Sequence, residues 1–261
     1  FSGGHDSLTA THIAAQHPKF SGVVHINTGI GIPETREFVR ETCKEHGWKL
    51  LEYKAEDQGK VYRDIVMKCG FPGPFSHRFM YTSLKERALR QVIRDHKKKK
   101  RDKIMLISGC RSEESVRRMG TVDPIQVEGV KIWCAIIHDW SKADCWSYID
   151  KHGLKHNKVV LRLGMSGECL CGAFAKEGEL DRIHEHYPET AEMIMDLEDE
   201  VREAGFPWDW ESGPPGWWKN REHQNTLFEE IKDPPPLCTT CAAKCAGLRL
   251  KIPSDVVLSE K

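Results

Sequence analysis

A glycine-rich segment at the start of the sequence carries the residue types that bind phosphate. It reads Ser2-Gly3-Gly4-His5-Asp6-Ser7, and an apolar helical pattern follows it directly. Two adjacent glycines let the backbone turn tightly and approach a ligand closely. A helix that starts here also points free N–H groups and the positive end of its dipole at the loop. We therefore predict a phosphate-binding loop, while the alternative is an ordinary turn in which Asp6 or Ser7 caps the helix.

A second candidate for phosphate binding follows a predicted strand that ends at Ser108. Its polar and basic side chains belong to Arg111, Ser112, Ser115, Arg117 and Arg118. Arginine makes bidentate, charge-assisted hydrogen bonds to phosphate or sulfate oxygens. The adjacent Glu113 and Glu114 leave open a surface cluster of ion pairs, but a position after the carboxyl end of a strand favours phosphate binding.

Five of the ten cysteines are clustered, which is typical of metal or redox chemistry when no secretory signal is visible. They are Cys169-x-Cys171 and Cys238-x-x-Cys241-x-x-x-Cys245. Soft thiolates suit zinc or an iron–sulfur cluster, and the Cys-x-Cys spacing is tight for zinc. Cys245 is a fifth thiol, which either replaces one of the other four as a ligand or stays free as a sulfur-carrying or structural group.

The composition is that of a globular protein without a membrane span. Hydrophobic residues make up 39% of the 261 residues and charged residues 30%, with 39 basic and 39 acidic side chains. No apolar run approaches the roughly 20 residues that cross a bilayer, so we expect a cytoplasmic protein. The net charge of zero does not indicate a globally basic nucleic-acid binder, and we interpret the basic run 97–101 as a solvated helix end.

Alternating strand and helix patterns predict the elements that position these residues. The predicted strands are 22–27, 48–54 and 103–108, and the predicted helices are 7–16, 33–46, 62–68, 81–96, 142–152 and an interrupted 176–204. This order indicates an α/β fold with a parallel twisted sheet and helices on both faces, followed by a mostly helical C-terminal cysteine-bearing appendage. Ligands of such sheets bind outside the carboxyl ends of the strands. The glycine loop, the segment 28–35 and the segment after Ser108 all belong there.

The motifs resemble those of a known family. S-G-G-x-D-S resembles the pyrophosphate loop (PP-loop) of the adenine nucleotide alpha-hydrolase superfamily, which includes ATP pyrophosphatases and phosphoadenosine phosphosulfate (PAPS) reductases. Asn27-Thr28-Gly29 and Pro33-Glu34-Thr35 resemble the D-T-G and P-E-T signature of PAPS reductase-like proteins, with Asn27 at the usual aspartate position. The segment 108–118 resembles their G-x-R-x-x-x-S-x-x-R stretch.

The resemblance implies an adenine-nucleotide site for ATP or adenosine phosphosulfate, with Mg²⁺. The implied nucleotide contacts are Ser2, Gly3, Gly4, Asp6, Ser7, Asn27, Thr28, Gly29, Arg111 and Ser115. The implied catalytic residues are Asp6, Arg111 and Arg117. Members of the family with cysteine pairs in this C-terminal region carry a 4Fe–4S cluster. The position of the cysteines therefore implies such a cluster here, with zinc as the alternative. The resulting division is a PP-loop domain over 1–165, whose first strand lies upstream of Phe1, and an iron–sulfur region over 166–261.

Three functions are compatible with these features. The first is ATP pyrophosphatase-type activation of a nucleic-acid acceptor, tRNA or DNA, for sulfur insertion, with a sulfur-donor protein as partner. The second is reduction of adenylylsulfate or PAPS to sulfite, whose E-C-G-x-H thiol motif does not occur in these 261 residues. The third is a nucleotide-binding cluster subunit that needs a partner. In such a subunit, the segment from Trp208 to Trp218 would dock the partner. Alternatively, it provides a platform on which bases stack, or it packs over the cluster.

Overall fold

The computed structural model describes residues 1–114 and 123–216. Its first half alternates helices and strands as the sequence pattern predicts. In order, these elements are α1 (His5–Ala15), β1 (Val23–Asn27), α2 (Pro33–Glu45), β2 (Leu50–Lys54) and α3 (Tyr62–Cys69). Pro33 opens α2, where its fixed φ suits a first helical turn and its missing N–H costs nothing.

The predicted helix over 81–96 begins earlier and contains an irregular turn. It consists of α4 (His77–Tyr81), a π-helical turn at Thr82–Glu86 and α5 (Arg87–His96). The strand β3 (Ile104–Ser108) follows, close to its predicted bounds. The later elements are β4 (Ile125–Glu128), β5 (Lys131–Ala135), α6 (Lys142–Lys151), α7 (Lys158–Leu163), α8 (Glu179–His186) and α9 (Pro188–Glu203).

The strands form two sheets within the described residues. β1 and β2 pair in parallel with Val23 opposite Leu50, and β3 and β5 pair in parallel with Ile104 opposite Lys131. β4 pairs antiparallel with β5, so the strand order of the second sheet is β3-β5-β4. The hairpin of β4 and β5 was not predicted, because β4 is a short edge strand whose apolar side chains are largely exposed and whose pattern lacks a core face.

Helices cover both faces of β1, which confirms the predicted α/β class. Val23 packs against Val39 and Cys43 of α2. Val24 and Ile26 pack in a separate cluster that includes Leu89 and Ile93 of α5. Successive strand side chains point to opposite faces, so α2 and α5 lie on opposite sides of this strand.

The largest apolar cluster joins the segment after β1 to the C-terminal helices. It includes Ile32, Phe71, Ile183, Ile194 and Trp210 among its buried members. This cluster contains residues from both sides of the domain boundary predicted at residue 165. That boundary stays a prediction. None of the described helices is long and apolar enough to cross a membrane.

The tryptophans at the end of the described chain are core residues. Trp208 donates from its indole N–H to the carbonyl of Phe71 at 2.9 Å, and Trp210 donates to the carbonyl of Leu170 at 2.8 Å. Both rings are buried, since they are only 5% and 1% exposed. These two buried rings are therefore not available for docking or for base stacking, while packing over a cluster stays a prediction. Trp217 and Trp218 lie outside the described residues.

Candidate functional site

The glycine loop lies at the N-terminus of α1, as predicted. Gly4 is the N-cap residue and accepts the first helical hydrogen bond, from the backbone N–H of Leu8 at 2.9 Å. The hydroxyl of Ser7 donates to the carbonyl of Gly4 at 2.8 Å and lies 3.1 Å from the hydroxyl of Ser2. The first turn of a helix leaves N–H groups without intrahelical partners, so the loop has the arrangement that binds an anion.

Gly3 shows why the loop needs glycine. Its φ is +77°, and a Cβ there would lie 2.6 Å from Cγ2 of Thr35. The amide of Asn157 donates to the Gly3 carbonyl at 2.9 Å, and its oxygen caps α7 by accepting from the N–H of Val159 at 2.9 Å. Asn157 is fully buried and therefore ties the loop to a second helix start. Sequence reasoning missed Asn157. The signal that could have found it is an asparagine directly before an apolar run that ends at Gly164, which is typical of a helix cap.

Replacing Asn157 by alanine is expected to lower the free energy of unfolding by about 2–3 kcal/mol, because it removes a helix cap and leaves the Gly3 carbonyl without its donor. Nucleotide affinity is expected to fall as well, since the loop loses its anchor. Urea unfolding and a nucleotide titration measure the two effects.

Ser141→Ala is the matched control for this substitution. Ser141 caps α6 by accepting from the N–H of Asp144 at 3.1 Å, on an exposed surface. Its loss is expected to cost about 1 kcal/mol and to leave nucleotide affinity unchanged. Equal affinity losses in both variants would contradict the anchoring role of Asn157.

The predicted catalytic residues Asp6 and Arg111 meet in the structure. Nε of Arg111 lies 3.0 Å from a carboxylate oxygen of Asp6, and its Nη1 lies 3.7 Å from the exposed carboxylate of Glu113. The Arg111 side chain is 7% exposed, so this cation is held within the protein beside the glycine loop. Of the other residues predicted in this segment, Ser115 and Arg117 lie outside the described residues.

Gly109 brings the segment after β3 against the first turn of α1. A Cβ at this position would lie 2.7 Å from the backbone carbon of Asp6 and 2.7 Å from the nitrogen of Ser7. Real Cβ atoms do not approach backbone this closely, so only glycine permits the contact. The two predicted phosphate-binding segments are therefore adjacent.

The loop after β1 is bonded to the cysteine segment. Asn27 accepts through its side-chain oxygen from the N–H of Gly29 at 2.9 Å, a role that needs an acceptor and no charge. The hydroxyl of Thr28 donates to the carbonyl of Glu168 at 2.9 Å. Backbone hydrogen bonds from Ile32 to Gly167 and from Leu170 to Ile30, at 2.9 and 2.8 Å, complete the junction.

Cys169 and Cys171 form a hydrogen-bonded thiol pair at this junction. The hydrogen bond from Cys171 lowers the pKa of Cys169 most, and the ammonium of Lys85 and the hydroxyl of Thr28 add to the shift against the effect of burial. The same hydrogen bond, together with burial, raises the pKa of Cys171 well above its usual value. The Cys169 thiolate in turn raises the pKa of Lys85. The pKa shifts of the two thiols therefore have opposite directions, downward for Cys169 and upward for Cys171.

Lys85 was not identified as a functional residue by sequence reasoning. It lies in the π-helical turn between α4 and α5, an irregularity that is frequent at functional sites. Another buried group that the sequence did not indicate is His25 on β1, whose Nε2 lies 3.4 Å from a carboxylate oxygen of Glu168. Neither residue belongs to a recognisable motif. Only the fold places Lys85 beside Cys169 and His25 beside Glu168.

The two thiols are suited to serve as ligands in an anionic metal centre. Two soft donors lie together beside the cation of Lys85, which would offset the charge of a thiolate-ligated cluster. Within residues 1–114 and 123–216, no group of three metal-ligating side chains is assembled. The remaining predicted ligands, Cys238, Cys241 and Cys245, lie outside the described residues. The complete metal site thus stays a prediction.

Comparison with known families gives a match over most of the chain. Residues 1–162 match the family model described as the phosphoadenosine phosphosulfate reductase domain. One solved structure with a related fold is the PAPS reductase from Candida auris in complex with phosphate. It is 18% identical, with a TM-score of 0.46 over 63% of this chain and 75% of that chain.

Curated relatives come from an archaeon and a phage. An uncharacterized protein of Methanocaldococcus jannaschii is 27% identical, covering 82% of this chain and 52% of the relative. A second uncharacterized protein of that organism is 24% identical, covering 74% of this chain and 39% of the relative. An uncharacterized 37.8 kDa protein of Escherichia phage 186 is 26% identical, covering 60% and 48%. The chain spans about half the length of these relatives.

Proposed function

The chain belongs to the phosphoadenosine phosphosulfate reductase domain family, and from that premise we propose that it is an adenine-nucleotide-dependent enzyme of sulfur transfer. One observation supports this proposal above the others. The loop that follows β1, where the family motif places the nucleotide, is hydrogen-bonded through Thr28 to the segment of Cys169 and Cys171. A nucleotide and a thiol pair would therefore share one site.

In this proposal the nucleotide phosphates occupy the loop 2–7. Free N–H groups at the start of α1 and the hydroxyls of Ser2 and Ser7 would bind their oxygens, and Arg111 would offset their charge. Magnesium ions keep most of their contacts with phosphate oxygens and water. Asp6 is the carboxylate in the loop that fits such an ion, although it is paired with Arg111 in this structure.

The reaction that we favour is activation of an oxygen on a nucleic acid, tRNA or DNA, for sulfur insertion. The acceptor oxygen attacks the α-phosphorus of ATP, the bond to the β-phosphate oxygen breaks, and pyrophosphate leaves. A sulfur nucleophile brought by a donor protein then forms the new bond to the acceptor, and AMP departs with the original oxygen. The protein's part is positioning and charge neutralisation, which dominate phosphoryl transfer.

The cofactor that we propose is a 4Fe–4S cluster, with zinc as the alternative. Cys169 and Cys171 would supply two of its ligands, and Cys238, Cys241 and Cys245 the remaining ones. Such a cluster supplies redox or sulfur-binding chemistry when bound. The described residues would hold Cys169 through the hydroxyl of Thr28, in the loop after β1, and through the ammonium of Lys85.

The second candidate is reduction of adenylylsulfate or PAPS to sulfite, which the description of the matched family favours. In that reaction two electrons from thiols cleave the bond between sulfur and the nucleotide phosphate oxygen. The sulfur leaves as sulfite and the nucleotide as its phosphate. A third candidate, a nucleotide-binding subunit that acts only with a partner, would use the same loop without turnover.

One experiment separates these candidates. The chain is purified without oxygen, and the release of pyrophosphate from ATP is measured with and without tRNA or duplex DNA. The release of sulfite from PAPS is measured in parallel with thioredoxin. We expect pyrophosphate release that depends on nucleic acid, together with the visible absorbance of an iron–sulfur protein.

The alternative outcomes each replace part of the proposal. Sulfite formation with thioredoxin would establish the reductase instead. Tight ATP binding without either product would support the subunit that needs a partner. A colourless, zinc-loaded protein would remove the iron–sulfur assignment and leave the nucleotide chemistry to be judged separately.

A further inference from the structure

The segment 87–103 is far more basic than the rest of the chain. It carries nine of the 39 basic side chains and two of the 39 acidic ones, although the whole chain has a net charge of zero. Three of the nine lie on α5, and the other six follow it between residues 97 and 103. All of them are exposed except Lys97, which is half-buried. Positive charge is therefore concentrated in one part of the surface.

The three arginines of α5 form a line on its outer side. Arg87, Arg90 and Arg94 are spaced three and four residues apart, so they lie on one face of the helix. The opposite face packs Leu89 into an apolar cluster with residues of β1 and β3. At a rise of 1.5 Å per residue, the three arginines span about 10 Å of the helix axis. We call these arginines and the basic residues of 97–103 the basic stripe.

The two carboxylates within this segment are engaged in other hydrogen bonds. Asp102 accepts from the backbone N–H groups of Lys98 and Lys99 at 3.2 and 2.7 Å, which folds the segment after α5 into a turn. Asp95 accepts from the hydroxyl of Tyr53 at 2.8 Å. Within residues 1–114 and 123–216, neither carboxylate forms an ion pair with the stripe. The lysine side chains of the turn therefore face solvent with their charge uncompensated.

Two of the three arginines of α5 also keep their charge. Arg90 pairs with the carboxylate of Glu86 at 2.6 Å. Arg94 instead donates from its Nε to the side-chain oxygen of Gln91 at 3.1 Å, a neutral group that orients the guanidinium without neutralising it. In the part of the chain that the structure describes, no carboxylate lies within ion-pair distance of Arg87 or Arg94.

Helix stability does not account for the basic stripe. Cations in the last turn of a helix interact favourably with its dipole, but this effect falls off within that turn. It therefore does not extend to Lys100, Arg101 and Lys103. Like charges three or four residues apart on a helix destabilise it, which applies to the arginines of α5. A dense positive surface of this kind fits a partner that carries many negative charges.

The stripe begins beside the thiol pair. Arg87 is two residues from Lys85, which lies in the π-helical turn before α5 and whose ammonium is next to the Cys169 thiol. The Lys85 side chain is directed to the cysteines, whereas Arg87 is exposed to solvent. A long polyanion bound along the stripe would therefore have one part close to the site to which we assign sulfur transfer.

We propose that the basic stripe is the docking surface for a double-stranded nucleic acid, whose phosphate backbone lies along α5 and the segment 97–103. Lysine and arginine bind backbone phosphates without reading the base sequence. The proposal rests on the proposed function and deepens it, because it states where the acceptor of sulfur is held.

The composition of the stripe favours a duplex over the other polyanions. Single strands are held by aromatic side chains on which bases stack, and residues 87–103 contain no Phe, Tyr or Trp. Helices that bind a membrane surface insert an apolar face into the lipid. The apolar face of α5 is occupied, because Leu89 and Ile93 pack in the protein core.

Arg87→Gln combined with Arg94→Gln tests the stripe. Glutamine has a helix propensity close to that of arginine, so α5 should be retained. Each phosphate contact contributes about 0.9 to the slope of log affinity against log salt concentration for duplex DNA. We therefore expect this slope to decrease by about 2 and the affinity for a labelled duplex at low salt to fall about tenfold or more. Fluorescence anisotropy without ATP measures both quantities.

Arg63→Gln combined with Arg202→Gln is the matched control. These arginines are 57% and 53% exposed, but they lie on α3 and α9 and pair with the carboxylates of Glu200 and Asp199. The control removes the same charge from the chain and should keep the native affinity and salt slope. Equal losses in the two double variants would show that only net charge matters, which would overturn docking at the stripe.

The choice of ligand separates the proposal from its alternatives. Duplex DNA or tRNA should bind the native chain more tightly than single-stranded DNA does, and tighter binding of the single strand would overturn the proposal. Binding of phosphatidylserine vesicles in place of nucleic acid, lost in the stripe variant, would replace the duplex by a membrane. Salt-sensitive self-association that the stripe variant abolishes, without nucleic-acid binding, would replace it by a second copy of the chain.

Turnover distinguishes a failure of docking from a failure of the proposed function. With tRNA or duplex DNA, the stripe variant should need about tenfold more nucleic acid for half-maximal pyrophosphate release, with an unchanged requirement for ATP. Docking at the stripe without pyrophosphate release would contradict the proposed function and leave the docking surface in place. Pyrophosphate release that depends equally on nucleic acid in the native chain and the variant would overturn the docking surface alone.

Discussion

Replacing Gly109 by alanine is expected to weaken adenine-nucleotide binding by about 100-fold, the size of the loss that a misplacement of about 1 Å can cause in catalysis. The new Cβ would lie 2.7 Å from backbone atoms of Asp6 and Ser7, in the first turn of α1. Backbone in a helical turn cannot rotate away as a flexible side chain does. The segment after β3 must therefore move off the glycine loop, and Arg111 moves with it.

Calorimetric titration with ATP measures this loss, and circular dichroism checks that the fold is retained. Gly216→Ala is the matched control, because a Cβ there meets none of the described atoms of residues 1–114 and 123–216 within 4 Å and neither glycine has a left-handed φ. It should bind nucleotide as the native chain does. A Gly109→Ala protein that folds and binds ATP with native affinity would show that contact between the two segments is not required.

The second large effect is expected at the Asp6–Arg111 pair. Arg111→Met leaves the Asp6 carboxylate beside the proposed phosphate site without its cation. Asp6→Asn leaves the buried guanidinium with only the exposed Glu113 carboxylate, 3.7 Å away. Removing one partner of a buried ion pair costs about 3–5 kcal/mol of folding free energy. Asp6 is partly exposed, so we expect the lower end of that range, about 3 kcal/mol, for each single variant. Pyrophosphate release should fall below detection in both.

A double-mutant cycle tests whether the two residues act together. Because each single variant leaves an unpaired charge, Asp6→Asn combined with Arg111→Met should cost clearly less than the sum of the two single losses in urea unfolding. Arg40→Met is the control. Arg40 pairs with Glu52 at 2.7 Å but is half exposed, so its loss should cost about 0–1 kcal/mol and leave nucleotide binding unchanged. Strict additivity at Asp6 and Arg111 would contradict the pairing.

The structure gives the loop after β1 a part in the proposed chemistry that its motif did not indicate. Asn27 stands where the family pattern has aspartate, and its side-chain oxygen accepts a hydrogen bond from the N–H of Gly29. An amide oxygen does this as well as a carboxylate, so the substitution preserves the turn. Thr28 is then held against the cysteine segment, and the loop links the nucleotide side of the site to the thiols.

Much of the first half of the fold could be predicted because its signals are local. The helix α2 begins at Pro33 as predicted, and β1 and β2 lie within two residues of their expected starts. Apolar periodicity and turn residues produce these elements wherever they occur. The resemblance to PAPS reductase-like proteins is confirmed over residues 1–162. By contrast, β4 is exposed at a sheet edge, and a strand without a buried face leaves little pattern to read.

The site could be predicted only in its parts. Gly109 was visible as a glycine, but its closeness to Asp6 arises from the packing of β3 beside α1, which no local pattern contains. Asn157 and Lys85 stand in no motif, and both contribute through contacts made across the fold, Asn157 with Gly3 and Lys85 with Cys169. The roles of Arg117, Ser115 and the three C-terminal cysteines of the predicted cluster remain predictions from sequence.

Local sequence is sufficient to predict a glycine loop at the start of a helix, in an α/β fold of a recognisable family. Those properties depend on glycines, helix starts and apolar periodicity, which are encoded within a few residues of one another. The tertiary structure is needed to show that Arg111 is buried against Asp6 and that the loop after β1 reaches Cys169. These contacts join residues more than a hundred positions apart, so they exist only once the core has packed.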